Sequence, residues 1–302
     1  MSQYTRIVLA ERPQSEIDSK TFRTETVPFD LRPNAKQILV QTIYLSLDPT
    51  QRTWLNDTRG YMKPVQIGEV MRSGGIGVVV QAGSGSCFKR GDTVFGMLGA
   101  AGATGSVACQ LGKKAGAKVI AIAGSKEKCD WLEKELGVDK ALNYKSPTFR
   151  KEFIDSVGYL DVYFDNVGGD ILNLALSRLK KNARIALCGT PLVIVRDATM
   201  LKPSFVGAIA DYNSKPKGLT NYTTLITQTA SMRGFLIFDY AQQFHSARQE
   251  LAKWLAEGTL KRQFHVVDGI EKCPQALPLL FSGGNTGKLV VKVANIKAVA
   301  KL

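Results

Sequence analysis

The chain has 302 residues, 44% hydrophobic and 22% charged, which is enough apolar content for one or two packed cores and excludes a disordered polymer. Its five cysteines (Cys87, Cys109, Cys129, Cys188, Cys273) form no C-x-x-C pair and its two histidines are His245 and His265, which argues against a disulfide framework and the common Cys/His zinc sites. The formal net charge is +14, but the 40 Lys and Arg residues are scattered along the chain, with no basic run interleaved with aromatics, so nucleic acid is not an expected partner.

The N-terminal stretch MSQYTRIVLAERPQ lacks the apolar centre of a signal peptide. No apolar run approaches the roughly 20 residues that span a bilayer. The expected location is therefore the cytoplasm, with no membrane partner. The first hundred residues read as strands. QILVQTIYLS (37–46) and IGVVVQ (76–81) are rich in β-branched residues and are set apart by Pro and Gly. At Gly99 the pattern changes to alternating strands and helices. Helices are predicted at 106–115, 126–136 and 170–180, and strands at 118–123, 160–165 and 184–188. That alternation predicts an α/β, doubly wound parallel sheet. A further helix at about 242–257 stops at Gly258, and KLVVKV (288–293) is a final strand.

The strongest chemical signal is GAAGATGSV (99–107), spaced G-x-x-G-x-x-G and running into a helix. Glycines allow close backbone approach to a pyrophosphate, and the helix N-terminus offers unpaired N–H groups. The βαβ alternation that follows is the context this motif requires for dinucleotide binding. At the end of the next strand an NAD site places Asp or Glu against the ribose hydroxyls. This chain has Ala123, Gly124, Ser125, Lys126, Glu127 and Lys128 there. A hydroxyl and two lysines suit a 2′-phosphate, and Glu127 lies in a first helical turn, where acids cap helices. NADPH is expected over NADH. The run from Gly283 to Lys288 looks like a phosphate loop, but Ser282 and Leu289 stand where that motif needs Gly and Ser or Thr. No G-x-S-x-G nucleophile elbow is present, and His245 and His265 read as structural.

Several motifs together resemble one family. They are YLSLDPTQR (44–52), IGEVMRSGGIGVVV (67–80), AAGATGSVACQLGK (100–113), AGSKEK (123–128), LNY (142–144), YFDNVGG (163–169), GAIADYN (207–213), GFLIFDY (234–240) and GGNTGKLVVKV (283–293). The chain is similar, nearly end to end, to the zinc-independent medium-chain dehydrogenase/reductases of the alkenal double-bond, prostaglandin and curcumin reductase group. The resemblance implies a Rossmann sheet joined to a GroES-like β domain. Expected bounds are 1–98 for the N-terminal part of the substrate domain, 99–262 for the NADP-binding domain, and 263–302 for the return to the first. It also implies NADPH-dependent reduction of the carbon–carbon double bond of an α,β-unsaturated ketone or aldehyde, and a homodimer.

Hydride addition to the β-carbon places negative charge on the carbonyl oxygen, so a hydroxyl donor aimed there is needed more than a strong base. The motifs supply Tyr212 (ADYN) first and Tyr61 (GYMKP) second as catalytic or substrate-orienting donors. The same resemblance assigns Gly102, Ala103, Thr104 and Gly105 to the pyrophosphate, Lys128 with Ser125 to the 2′-phosphate, and Tyr144 to the adenosine. Asn166 falls to the ribose, Phe235 and Leu236 to the nicotinamide through their backbone, and Asn285 to the cofactor from the C-terminal segment. No metal is implied.

Two joints depart from the family pattern. GDTVFGMLG (91–99) runs straight into the glycine loop, where relatives carry several tens of residues including the first Rossmann strand. The segment 93–98 is the expected stand-in for that strand, although it cannot serve both domains. Second, residues 190–206 form an insertion ahead of GAIADYN. These joints read as a skipped exon and a translated intron. The joints make a catalytically impaired nucleotide-binding remnant one alternative; a quinone-reductase-like protein that also binds RNA is another, supported by the net charge of +14 alone. The C-terminal Ala300, Lys301 and Leu302 are similar to a peroxisomal address, the alternative to the cytoplasm.

Overall fold

The computed structural model describes residues 2–58, 62–96, 104–188 and 218–295. Two compact units emerge: Met1–Gly102 with Phe264–Leu302, and Ala103–Gln263.

The first unit is mostly β. Strands β1 (Gln3–Leu9) and β2 (Phe22–Pro28) form an antiparallel pair whose inner end buries Val8 and Leu9 completely. Strands β3 (Ile38–Ser46), β4 (Gly74–Ala82) and β5 (Thr93–Gly96) continue as an antiparallel meander. The chain returns at its C-terminal end with β11 (Phe264–Asp268) and β12 (Lys288–Lys292), completing a five-stranded sheet in the order β11-β12-β3-β4-β5. Leu47, Leu277, Leu280, Leu289 and Val291 pack beneath it.

The YLSLDPTQR motif is the knot of this unit. Asp48, 1% exposed, caps the 3-10 turn Pro49–Leu55 and accepts from Ser46 Oγ at 2.5 Å. Lys288 of β12 pairs with the Asp48 carboxylate and donates to the Leu47 carbonyl at 3.0 Å. Arg52 donates to the Ser15 carbonyl (2.7 Å) and to Asn56 Oδ1 (2.6 Å). The lysine of the loop at 283–288 thus ties two strands together, in keeping with the sequence's failure to complete a phosphate loop.

The second unit is α/β. In chain order it holds α1 (Thr104–Lys114), β6 (Ile120–Ala123), α2 (Lys126–Lys134), β7 (Lys140–Asn143), α3 (Phe149–Val157), β8 (Leu160–Asp165), α4 (Gly169–Leu176) and β9 (Leu179–Cys188). A single turn α5 (Thr224–Thr227), β10 (Ser231–Phe235) and α6 (Phe244–Ala256) follow. All strand pairings are parallel: β6 with β7, β8 with β9, and β9 with β10. The predicted strand 160–165 is observed with those bounds. The helix expected to reach residue 180 stops at Leu176, because Ser177 turns back onto Leu174 and Leu179 pairs with Leu160.

The expected stand-in strand is corrected by the structure. Thr93–Gly96 pairs antiparallel with β4, with Val94 opposite Gly77, and so belongs to the first unit. In a doubly wound sheet of order 3-2-1-4-5-6, β7-β6 fill positions 3 and 2 and β8-β9-β10 fill 4, 5 and 6. Among the described residues β6 pairs only with β7, and β8 pairs with β9 alone on one side. Among the described residues the parallel sheet is therefore in two pieces, β7-β6 and β8-β9-β10. One apolar layer still spans both pieces: Ile120, Ile122 and Leu142 share a cluster with Phe149, Phe153, Leu160, Tyr163, Leu174 and Ala175.

Candidate nucleotide site

The carboxyl ends of β6, β7 and β8 place a group of the expected residues together in the second unit. α1 opens with Thr104 and Gly105, and a Cβ on Gly105 would sit 3.5 Å from Asn166 Nδ2 at the end of β8. The glycine keeps the first turn of α1 beside that amide without a side chain between them.

At the end of β6, Gly124 lies against the Tyr144 ring, where a Cβ would be 2.9 Å from Cε1 and 3.1 Å from the hydroxyl. Any other residue would push the ring away. Tyr144 in turn donates its backbone N–H to the Ala123 carbonyl at 2.9 Å. Ser125 is the N-cap of α2, its hydroxyl accepting from the Lys128 backbone N–H at 3.3 Å. That bond fixes the first turn, from which the Lys128 side chain projects. Burial, and next the charge of Lys145, hold the Lys128 ammonium below the usual lysine pKa. Lys145 itself stands 5.9 Å over the Tyr144 ring. Glu127 is held by its own backbone N–H and then by the Ser125 hydroxyl, which keep its carboxyl below the usual range. It serves as a helix cap, as its position in the first turn predicts.

Beyond β8 the chain turns through Asn166, Val167 and Gly168 into α4. Asp165, 1% exposed, accepts from the Gly168 N–H at 3.0 Å and from the Tyr163 hydroxyl at 3.2 Å. Gly168 has φ 73° and ψ −152°, a region open only to glycine, and Gly169 follows with φ 57°. The GG of YFDNVGG is required by that turn.

Other expected residues fall elsewhere. The Phe235 ring meets Phe164 and Tyr240 with centroids 6.4 and 6.0 Å apart. The Leu236 N–H donates to Asp239 Oδ2 at 3.0 Å and its carbonyl accepts from the Asp239 N–H at 3.0 Å, so that N–H is already engaged. Asn285 lies in the first unit, where its amide donates to the Gly287 carbonyl at 2.9 Å. Tyr61, Gly102, Ala103 and Tyr212 lie outside the described residues, as do the joint at Gly99, the segment 190–206 and the C-terminal Ala300, Lys301 and Leu302. Two residues of the site, Lys145 and Asp165, were not singled out by the sequence. Lys145 could have been found as a second cation one residue after Tyr144. Asp165 reads as an ordinary acid at a strand end.

Among the described residues no group of three His, Cys, Asp or Glu could hold a metal ion, and no helix is long and apolar enough to cross a membrane. A glycine-started helix at a split in a parallel sheet, with a lysine pair beside the adjoining strand end, is nucleotide-site architecture. Comparison with known proteins agrees. The pattern for the "N-terminal domain of oxidoreductase" matches residues 5–112 and that for "zinc-binding dehydrogenase" residues 103–257. The chain belongs to the medium-chain dehydrogenase/reductase family.

Among relatives of this dehydrogenase/reductase, a putative NADP-dependent oxidoreductase of Bacillus subtilis is 31% identical over 352 positions, covering 96% of this chain and 98% of the relative. The NADPH-dependent curcumin reductase of Escherichia coli is 28% identical over 348 positions, covering 96% of each. The crystal structure of CurA from Vibrio vulnificus in complex with NADPH superposes with a TM-score of 0.81 at 26% identity, covering 97% of this chain and all of that one. An alignment of 352 positions against 302 residues leaves at least 50 positions of the Bacillus relative with no counterpart here. This dehydrogenase/reductase is thus shorter inside than its relative.

Proposed function

We propose that the chain is an NADPH-dependent reductase of the carbon–carbon double bond of α,β-unsaturated ketones or aldehydes. The observation that carries the reading is the lysine pair, Lys128 after β6 and Lys145 after β7, with Glu127 drawn into the helix cap. Two cations within one another's field suit a 2′-phosphate, and no carboxylate is presented there to the diol of NAD. Full-length relatives named as NADPH- or NADP-dependent reductases support the same choice.

The residues fit such a cofactor, which when bound supplies the hydride. The first turn of α1 receives the pyrophosphate on its backbone N–H groups, with Gly102, Ala103, Thr104 and Gly105 as the cradle. Tyr144 flanks the adenosine and Asn166 the ribose, while Lys128, with Lys145 beside it, takes the phosphate. Phe235, at the end of β10, completes the set within this unit. Tyr212, with Tyr61 as the second candidate, donates a hydrogen bond from its hydroxyl to the carbonyl oxygen as charge develops there, and the α-carbon then takes its proton from solvent water. Titration with NADPH and NADH, followed by NADPH oxidation in the presence of a short alkenal, tests the reading. NADPH preference with alkenal-dependent oxidation supports it; NADH preference, or oxidation by quinones only, contradicts it.

The division of the parallel sheet favours a second reading, a nucleotide-binding remnant with little turnover. NADPH binding without oxidation under any enone would select it.

A further inference from the structure

We infer that Asp165 is a positioning residue, a buried carboxylate whose task is to shape the turn that presents Asn166 to the first turn of α1. The inference rests on the nucleotide reading above. The groups around this carboxylate are donors. The Gly168 N–H reaches both oxygens (3.2 and 3.0 Å), the Val167 N–H reaches Oδ1 at 3.4 Å, and the Tyr163 hydroxyl reaches Oδ1 at 3.2 Å. Convergent donors call for an acceptor-only group, which among side chains is an ionised carboxylate.

Holding an ion at this position carries a desolvation cost. Asp165 is 1% exposed, and burial pushes its carboxyl pKa up despite the bonds from Gly168, Val167 and Tyr163. The groups facing it share its burial: the Tyr163 hydroxyl is driven well above the ordinary tyrosine value by burial and then by Asp165, and the Cys188 thiol at the end of β9 is raised likewise. A neutral residue would avoid the desolvation cost. What the carboxylate provides is the backbone path through Val167 and Gly168, the latter at φ 73°. That path leaves the Asn166 amide beside the α1 glycine, 3.5 Å from the Cβ position Gly105 lacks.

The test is a double-mutant cycle with Asp165→Asn and Asn166→Ala, reading the NADPH dissociation constant and the thermal midpoint together. Asp165→Asn, which sets an amide N–H against these donors, should bind NADPH about 10-fold more weakly at a temperature where it remains folded, the scale of one hydrogen bond to a charged group. In the Asn166→Ala background it should change the constant by less than about 3-fold, since both changes remove the same presentation. Gly168→Ala, which strains the same turn without touching the carboxylate, should reproduce the weaker binding and the missing additivity. A lowered midpoint with unchanged affinity would make Asp165 a structural acid only and overturn the inference. Fully additive losses would do so too, because Asp165 would then act without Asn166. Failure of the unsubstituted protein to bind NADPH would overturn the nucleotide reading itself, a result distinct from the other two.

Discussion

Lys128 stands at the third position of α2, where the Ser125 cap fixes the backbone and Lys145 adds a second cation. Replacing it with alanine should weaken NADPH about 10–100-fold, the range for a charge-assisted phosphate contact, and leave NADH nearly unchanged. Equal losses for both cofactors would place Lys128 away from the 2′-phosphate. Thiol chemistry reads a different property at the same scale. Cys87 is exposed, whereas burial and then Glu271 push the Cys273 thiol up to about 12. Titration with an aromatic disulfide at mildly alkaline pH should therefore label Cys87 first, and Cys273 should stay unlabelled until the protein unfolds. Early labelling of Cys273 would mean that its surroundings open readily. Ser125 and Lys128 are legible in the sequence because each stands a fixed step beyond a strand that can be read locally, whereas Tyr144 comes only from the family motif LNY. Asp165 and Asp48 are not, since their meaning depends on what folds around them. The partner of Asp48 is Lys288, 240 residues away.

At the scale of elements, the strands with strong local patterns are the ones the sequence predicts: β3, β4, β8 and β12 all fall within a few residues of their expected bounds. β7 and α3 carry short or ambiguous patterns and take their form from the layer they share with β6 and β8, while β10 packs Met232 against the cluster of Leu172, Leu176 and Ile185. The stand-in strand fails for a physical reason. Thr93–Gly96 has a ready antiparallel partner in β4, reached by the short turn at Lys89–Asp92, and a strand so paired cannot also enter a parallel sheet. Hydrogen exchange measures the consequence. Amides of β6 and β8 that do not point to β7 or β9 should exchange faster than those of β9, which is paired on both sides. Equal protection in β8 and β9 would show that the central position is filled. The first unit depends on one ion pair: Lys288→Met keeps the apolar stem but removes the cation beside the buried Asp48 carboxylate, and should cost about 3–5 kcal/mol of unfolding free energy. A change below about 1 kcal/mol would show that the pair adds little.

Over the whole molecule, family membership and a divided Rossmann sheet pull in opposite directions. The relatives align along nearly the full chain, yet at least 50 positions of the Bacillus protein have no residue here. Domain stabilities are typically only about 5–15 kcal/mol, so the gap between β6 and β8 among the described residues weighs heavily on the second unit. Inserting the corresponding segment of a relative between Gly96 and Thr104 should raise the thermal midpoint and tighten NADPH, and sequencing the transcript would show whether the joint at Gly99 is encoded. An insertion that leaves both properties unchanged would mean that the sheet is already complete without it. The measurement that bears most directly on the account is a fluorescence titration of the unaltered 302-residue protein with NADPH and with NADH. The account predicts saturable binding with a clear preference for NADPH, lost when Lys128 is replaced. Tighter binding of NADH, or no binding of either cofactor, would contradict it.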